Sequence, residues 1–179
     1  FTAPPEPEMA RRRKAWEAAA RVREPFNRAK SALAQGDFAG ATGDLSALVK
    51  LDPKWAEAQF SLARCYEELK DLSRAREGFE RSVVLDPDVA LYQHKLSSLL
   101  LALPDASRSD IAAALAHAMK AADLTRRTDP AVLDTLARAL YRNEKIVEAF
   151  ETQKLALAAL KSNTTPEQRE EYAKRLKQY

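Results

Sequence analysis

Apolar residues recur along this chain in short blocks at helical spacing. Leu62, Tyr66 and Leu69 lie four and three apart, and Leu133, Leu136, Ala137 and Leu140 repeat the spacing. This is the period of helices with one buried stripe. Breakers fall between the blocks: Gly36-Asp37, Asp52-Pro53, Asp86-Pro87, Pro104-Asp105 and Asp129-Pro130, all residues that favour turns over helix continuation. At the front, Glu8 to Arg23 reads as a helix carrying Met9 and Trp16 behind a proline-rich entry over 1–7, and Pro25 either starts a new helix or kinks a long one. At the back, Thr165-Pro166-Glu167-Gln168 supplies an N-cap, a first-turn proline and a capping-box glutamine. A closing helix over 165–178 follows, with Tyr172 and Leu176 four apart on one face.

The blocks share a register. Leu51-Asp52-Pro53 recurs as Leu85-Asp86-Pro87, 34 residues later, and a third Asp-Pro stands at Asp129-Pro130. Ahead of the first two, Gly36-Asp37-Phe38 with Ala41 and Leu45 matches Lys70-Asp71-Leu72 with Ala75 and Phe79. A fixed period of this size marks stacked supersecondary units. The pattern resembles the tetratricopeptide repeat, a helix-turn-helix unit of two helices, A and B. The segment 56–89 carries Leu62, Ala63, Tyr66, Ala75, Phe79 and Pro87 at the family positions, with Gln59 where a tryptophan would stand. The units over 22–55, 90–129 and 130–160 follow it with departures: Pro25 and Arg28 in the first, and a longer turn through Pro104 and Asp105 in the third. The resemblance implies an all-α solenoid, a right-handed superhelix of four repeats over 25–160, with an extra helix over 8–24 in front and the capping helix behind.

The resemblance also implies a concave groove lined by A helices that holds a peptide. Aligning the four A helices gives one ladder of Phe26, Phe60, His94 and Asp134, a second of Asn27, Ser61, Lys95 and Thr135, and a third of Lys30, Arg64, Ser98 and Arg138. Family members that bind chaperone C-termini use a carboxylate clamp of Lys, Asn and Arg, but here Lys30 replaces the first Asn and Ser61 the second. Lys30, Arg64, Lys95 and Arg138 are expected to attract an acidic or C-terminal segment, with Phe26 and Phe60 offering apolar contacts. The expected function is therefore a non-catalytic protein-interaction module, one domain of a larger bacterial protein. Two alternatives stand beside it: the docking tail of an enzyme, for example a thioredoxin-like one whose chemistry lies outside this chain, and an RNA-binding helical repeat. Against the last, the first ladder lacks a run of polar base-readers.

Composition narrows the chemistry. Only four glycines and 7% aromatic residues disfavour a β-rich core. Cys65 is alone, which excludes an internal disulfide, a Cys-x-x-Cys pair and a cysteine zinc cage. Its place among the apolar residues of a helix marks it as a small buried hydrophobe rather than a reactive thiol. With only His94 and His117 available, neither a metal nor another cofactor is expected, and no catalytic residue is assigned. The net charge of +3 is mild, and nucleic acid is not the expected partner. The charge is uneven, with Arg11, Arg12, Arg13, Lys14, Arg21, Arg23, Arg28 and Lys30 crowding the front of the chain. No apolar run approaches the ~18 residues of a membrane span. The chain starts at Phe1, which suggests a processed product or a piece of a longer protein. The compartment is left between cytoplasm and periplasm.

Overall fold

The computed structural model describes the backbone of residues 6–179 and the side chains of residues 20–179. The side chains of Met9, Trp16 and the Arg11–Lys14 run lie outside the described residues, as do residues 1–5. Among the described residues all regular structure is α-helical: α1 Glu6–Ala34, α2 Phe38–Leu51, α3 Ala56–Glu68, α4 Leu72–Leu85, α5 Ala90–Ala102, α6 Arg108–Leu124, α7 Pro130–Arg142, α8 Ile146–Ala158 and α9 Pro166–Leu176. The chain divides into two compact units, one ending at Ala75 and the other running from Arg76 to Tyr179.

In the first unit α1 packs on α2, and α2 on α3. The stretch expected to hold a separate helix over 8–24 and the first A helix is one continuous helix with Pro25 inside it. Proline removes one i→i−4 hydrogen bond, and here the cost is offset by tertiary contact. Val22 and Phe26, on either side of Pro25, both pack against the core of Ala29, Ala41, Leu45, Leu48, Ala58 and Cys65.

In the second unit α5 pairs with α6 and α7 with α8, while α6 also contacts α7, and α9 packs on α8. The repeat register is visible in burial. Ala29, Ala63, Ser97 and Ala137 occupy one A-helix position and are all fully buried; Ala41, Ala75, Ala114 and Ala149 do the same on the B helices. Small side chains let paired helices approach closely. At Ser97 the hydroxyl serves the same contact, donating to the Ala114 carbonyl at 2.8 Å.

The turns repeat as well. Gly36, Lys70 and Glu144, at one offset from their A helices, have φ of 75°, 64° and 63°. The next residue returns its N–H to the helix just ended: Asp37 to Ala32 at 2.9 Å, Asp71 to Tyr66 at 2.9 Å and Lys145 to Leu140 at 3.0 Å. Satisfying these end carbonyls through a left-handed residue is a common helix stop. Asp37 and Asp71 then cap the following helix, accepting from the N–H of Gly40 at 2.8 Å and of Arg74 at 3.0 Å. The third repeat has Pro104 at this offset. Its ring fixes φ near −65°, so the left-handed stop cannot form. A longer turn replaces it, ending in a capping box between Ser107 and Asp110.

Because Ala63 and Ala75 have no free surface, Ala63→Leu and Ala75→Leu should each destabilise the fold by about 1–3 kcal/mol through overpacking. Urea denaturation reads this directly. Unchanged midpoints in both variants would mean that the buried contacts at these positions are wrong.

Candidate functional site

The first unit supplies six of the ladder residues. On α1, Phe26 is half-buried and tilted against Trp55, with ring centroids 4.6 Å apart, and Lys30 holds its ammonium 5.5 Å from the Phe26 ring centre. A cation over an aromatic face is a favourable contact that leaves most of the charge in water. Asn27 is exposed. On α3, Ser61 and Arg64 are half-buried, whereas Phe60 is buried at 4% exposure. Of the two phenylalanines expected to offer apolar contacts, Phe60 is therefore core and Phe26 is partly covered. Cys65 is fully buried, and that burial pushes its thiol pKa up, which suits packing rather than nucleophilic chemistry. Trp55 fills the space beside Phe26.

The second unit supplies the other six, of which Ser98 is half-buried and Thr135 is buried. His94 and Lys95 on α5 are half-buried, and Nε2 of His94 lies 3.0 Å from the Thr135 hydroxyl of α7. Burial lowers the His94 pKa, helped by the charges of Lys95 and Arg138 and opposed by Asp129 and Asp134. Arg138 is half-buried. Asp134 departs most from an open groove residue. It is 5% exposed, and Arg175 of α9 donates to its two oxygens at 2.6 and 2.5 Å. Gln153 of α8 donates a further bond at 2.9 Å. Arg175 also pairs with Glu171, and Gln153 reaches the Tyr172 carbonyl at 3.1 Å. The closing helix is thus tied to the last A helix, across 41 residues of sequence, by an ion pair between a buried carboxylate and a half-buried guanidinium.

Beside this network, His94, Asp134, Thr135, Gln168 and Tyr172 line a cavity of about 410 Å³. A second cavity, of about 180 Å³, lies between the C-terminal ends of α7 and α9, with Arg138, Tyr141, Arg142 and Tyr179 on its walls. Sequence reasoning did not single out Gln153, Arg175, Tyr141 or Tyr179. Gln153 carried a signal, because it stands where Leu45 and Phe79 fill the core of earlier B helices. A polar residue at such a position requires a buried partner. The paired glutamines Gln59 and Gln93 show the same logic. Each is buried on an A helix and donates to the proline carbonyl six residues before it, Pro53 at 3.1 Å and Pro87 at 2.8 Å. The Gln93 amide oxygen accepts in turn from Nδ1 of His117 at 2.7 Å. Among the described residues no three His, Cys, Asp or Glu side chains gather to hold a metal ion, and no helix is long and apolar enough to cross a membrane.

Residues 26–90 match the sequence model of the tetratricopeptide repeat family. No curated protein matches the chain in sequence. Among solved structures, the fold is similar to a MamA protein with a TM-score of 0.69 at 17% identity, covering 89% of this chain and 92% of that one. It is also similar to TTC0263, a thermophilic protein of the same repeat family from Thermus thermophilus, with a TM-score of 0.66 at 19% identity over 87% and 80% of the two chains. A third is PilW, a type IV pilus biogenesis factor, with a TM-score of 0.64 at 24% identity over 77% and 61%. At these identities the likeness is one of fold.

Two outcomes follow from this geometry. Arg175→Ala strands the buried Asp134 carboxylate and should cost about 3–5 kcal/mol, while the double change Asp134→Leu with Arg175→Met should recover much of it. Thermal melts of the three proteins test this, and a silent Arg175→Ala would show that the pair does not hold α9.

The second outcome concerns pH. Burial lowers the pKa of both His94 and His117 in the fold. The unfolded chain therefore takes up protons first as pH falls through the ordinary histidine value of about 6.5. Stability should be flat well above that value and should decline over the pH window in which the unfolded histidines protonate and the folded ones do not. His94→Asn combined with His117→Gln should flatten the decline; an identical melting profile across that window would refute the assignment.

Proposed function

We propose that this chain, a tetratricopeptide repeat protein, is a non-catalytic interaction module that holds an acidic or C-terminal segment of a partner polypeptide against its A helices, as one domain of a larger bacterial protein. One observation carries the reading. The A-helix cations Lys30, Arg64, Lys95 and Arg138 keep part of their surface exposed, while the acid on the neighbouring ladder, Asp134, is buried and matched by Arg175. On the ladders the charged groups with exposed surface are therefore Lys30 and Arg64 in the first unit and Lys95 and Arg138 in the second. Such faces attract anionic segments over distance and hold them by charge-assisted hydrogen bonds where water is excluded. The small, deeply buried residues that hold the helices together leave the exposed A-helix positions free to vary with the partner. This separates the scaffold from the specificity of the face.

The test is a screen of acidic and C-terminal peptides by fluorescence polarisation, repeated with Arg64→Ala, Lys95→Ala and Arg127→Ala. Arg127 is exposed, pairs with Asp123 at 3.3 Å and belongs to no ladder. A desolvated charge-assisted contact is worth about 1.5–3 kcal/mol, so Arg64→Ala should weaken a binder held by the first unit, and Lys95→Ala one held by the second, by roughly 10- to 150-fold, with Arg127→Ala near neutral. Equal losses in all three variants, abolished by moderate salt, would reduce the effect to steering by net charge.

A further inference from the structure

The smaller cavity of the second unit has a composition that the A-helix ladders do not account for. Its walls come from the end of α5 (Leu101), from the C-terminal half of α7 (Arg138, Tyr141, Arg142), and from the end of α9 and the residues after it (Arg175, Gln178, Tyr179). Arg138 and Arg142 are four residues apart on one helix and so share a face. Three guanidinium groups border the space, but they are not equivalent. Arg175 is consumed by Asp134 and Glu171. Arg142 gives one N–H to the Leu101 carbonyl at 3.3 Å and keeps the others. Arg138 has no ion-pair partner among the described residues. The two tyrosine rings lie beside each other with centroids 4.8 Å apart. Burial, with the Asp134 charge adding to it, pushes the Tyr179 hydroxyl up to about 12, so at neutral pH it is uncharged and does not repel an anion.

We propose that this cavity is a binding site for a carboxylate of the partner polypeptide, held between Arg138 and Arg142 and flanked by the Tyr141 and Tyr179 rings. Arg138 and Arg142 present their guanidinium groups to the space, while Arg175 is already paired with Asp134 and Glu171. The volume is small, about 180 Å³. It admits a carboxylate with the side chain or terminal residue that bears it, but not a folded surface. Guanidinium forks match the two oxygens of a carboxylate, and the rings supply contact area for the attached carbon chain. The site is built from α5, α7 and the residues at and after the end of α9, not from the Lys30 and Ser61 positions where a family clamp would fall. It rests on the interaction-module reading only for the identity of the molecule that carries the carboxylate.

Isotope-labelled full chain titrated with small probes tests the site without a known partner. N-acetyltyrosine presents a terminal carboxylate, N-acetyltyrosinamide is its neutral twin, and α-amidated N-acetylglutamate presents a side-chain carboxylate. The side-chain N–H signals of Arg138 and Arg142 should shift saturably with one or both acids and stay still with the amide; whichever acid binds more tightly identifies the source. Arg138→Gln and Arg142→Gln should each weaken binding by about tenfold, and Arg127→Gln should not. The amide control requires no variant, so a misfolded arginine variant does not rescue or sink the idea. Three results would overturn it: no saturable shift with either acid at tens of millimolar, equal shifts with acid and amide, or tighter binding of inorganic phosphate than of both acids. Probes that bind while no peptide depends on Arg64 or Lys95 would uphold this site and overturn the broader reading. A peptide that depends on those residues, with probes that fail, would do the reverse.

Discussion

The helices of this protein cross where side chains shrink to a methyl or hydroxymethyl group, and most of what else the chain does follows from that constraint. Ala29, Ala63, Ser97 and Ala137 on the A helices, and Ala41, Ala75, Ala114 and Ala149 on the B helices, have no exposed surface. Because the contact is made by backbone and Cβ atoms, larger residues flank the crossings instead of sitting in them. Leu45 and Phe79 fill the space beside them in the earlier B helices. The same requirement tolerates Pro25 within α1, since the neighbouring Val22 and Phe26 are held by the core whether or not every helical hydrogen bond is made.

The last helix obeys a different rule. No residue of α9 is fully buried, so its attachment is not the result of a deep apolar stripe. Polar groups take over: Arg175 and Gln153 converge on Asp134, and Gln153 also ties the Tyr172 carbonyl. The side-chain oxygen of Gln153 has no hydrogen-bond partner among the described residues, a local consequence of placing an amide where earlier repeats have Leu or Phe. An ion pair of this kind contributes less to net stability than to fixing one arrangement over others. Here it fixes where the last helix docks, and it neutralises the acid that would otherwise lie among the A-helix cations.

The repeat register, the small residues at the crossings and the capping box at Thr165 were legible because each depends on residues close in sequence or on a fixed offset. The capping box forms with Gln168 as the local pattern requires. Pro25 was not decidable from sequence, because continuation through a proline depends on tertiary contact with residues of α2 and α3. Asp134 was placed by register on a groove ladder. What register cannot report is that Arg175, 41 residues away, closes over it. Phe60 teaches the same lesson in the apolar case: alignment gives its helical position, while its 4% exposure depends on neighbours that alignment does not supply. The arginine and tyrosine pocket was invisible for the same reason, since half of it comes from the end of the chain.

The left-handed residue at Gly36, Lys70 and Glu144 gives these turns a common backbone path, although only one of them uses glycine. An L residue at such a φ carries a conformational cost, which the returned N–H and, in the first two, the aspartate that follows help to offset. Turns with a common path are interchangeable joints. A gene could gain or lose a repeat between two of them and the chain would need no new conformation at the splice, whereas the Pro104 turn admits no such exchange. The first, second and fourth joints are thus alike in backbone, and the third is the one at which an inserted repeat would need a different turn.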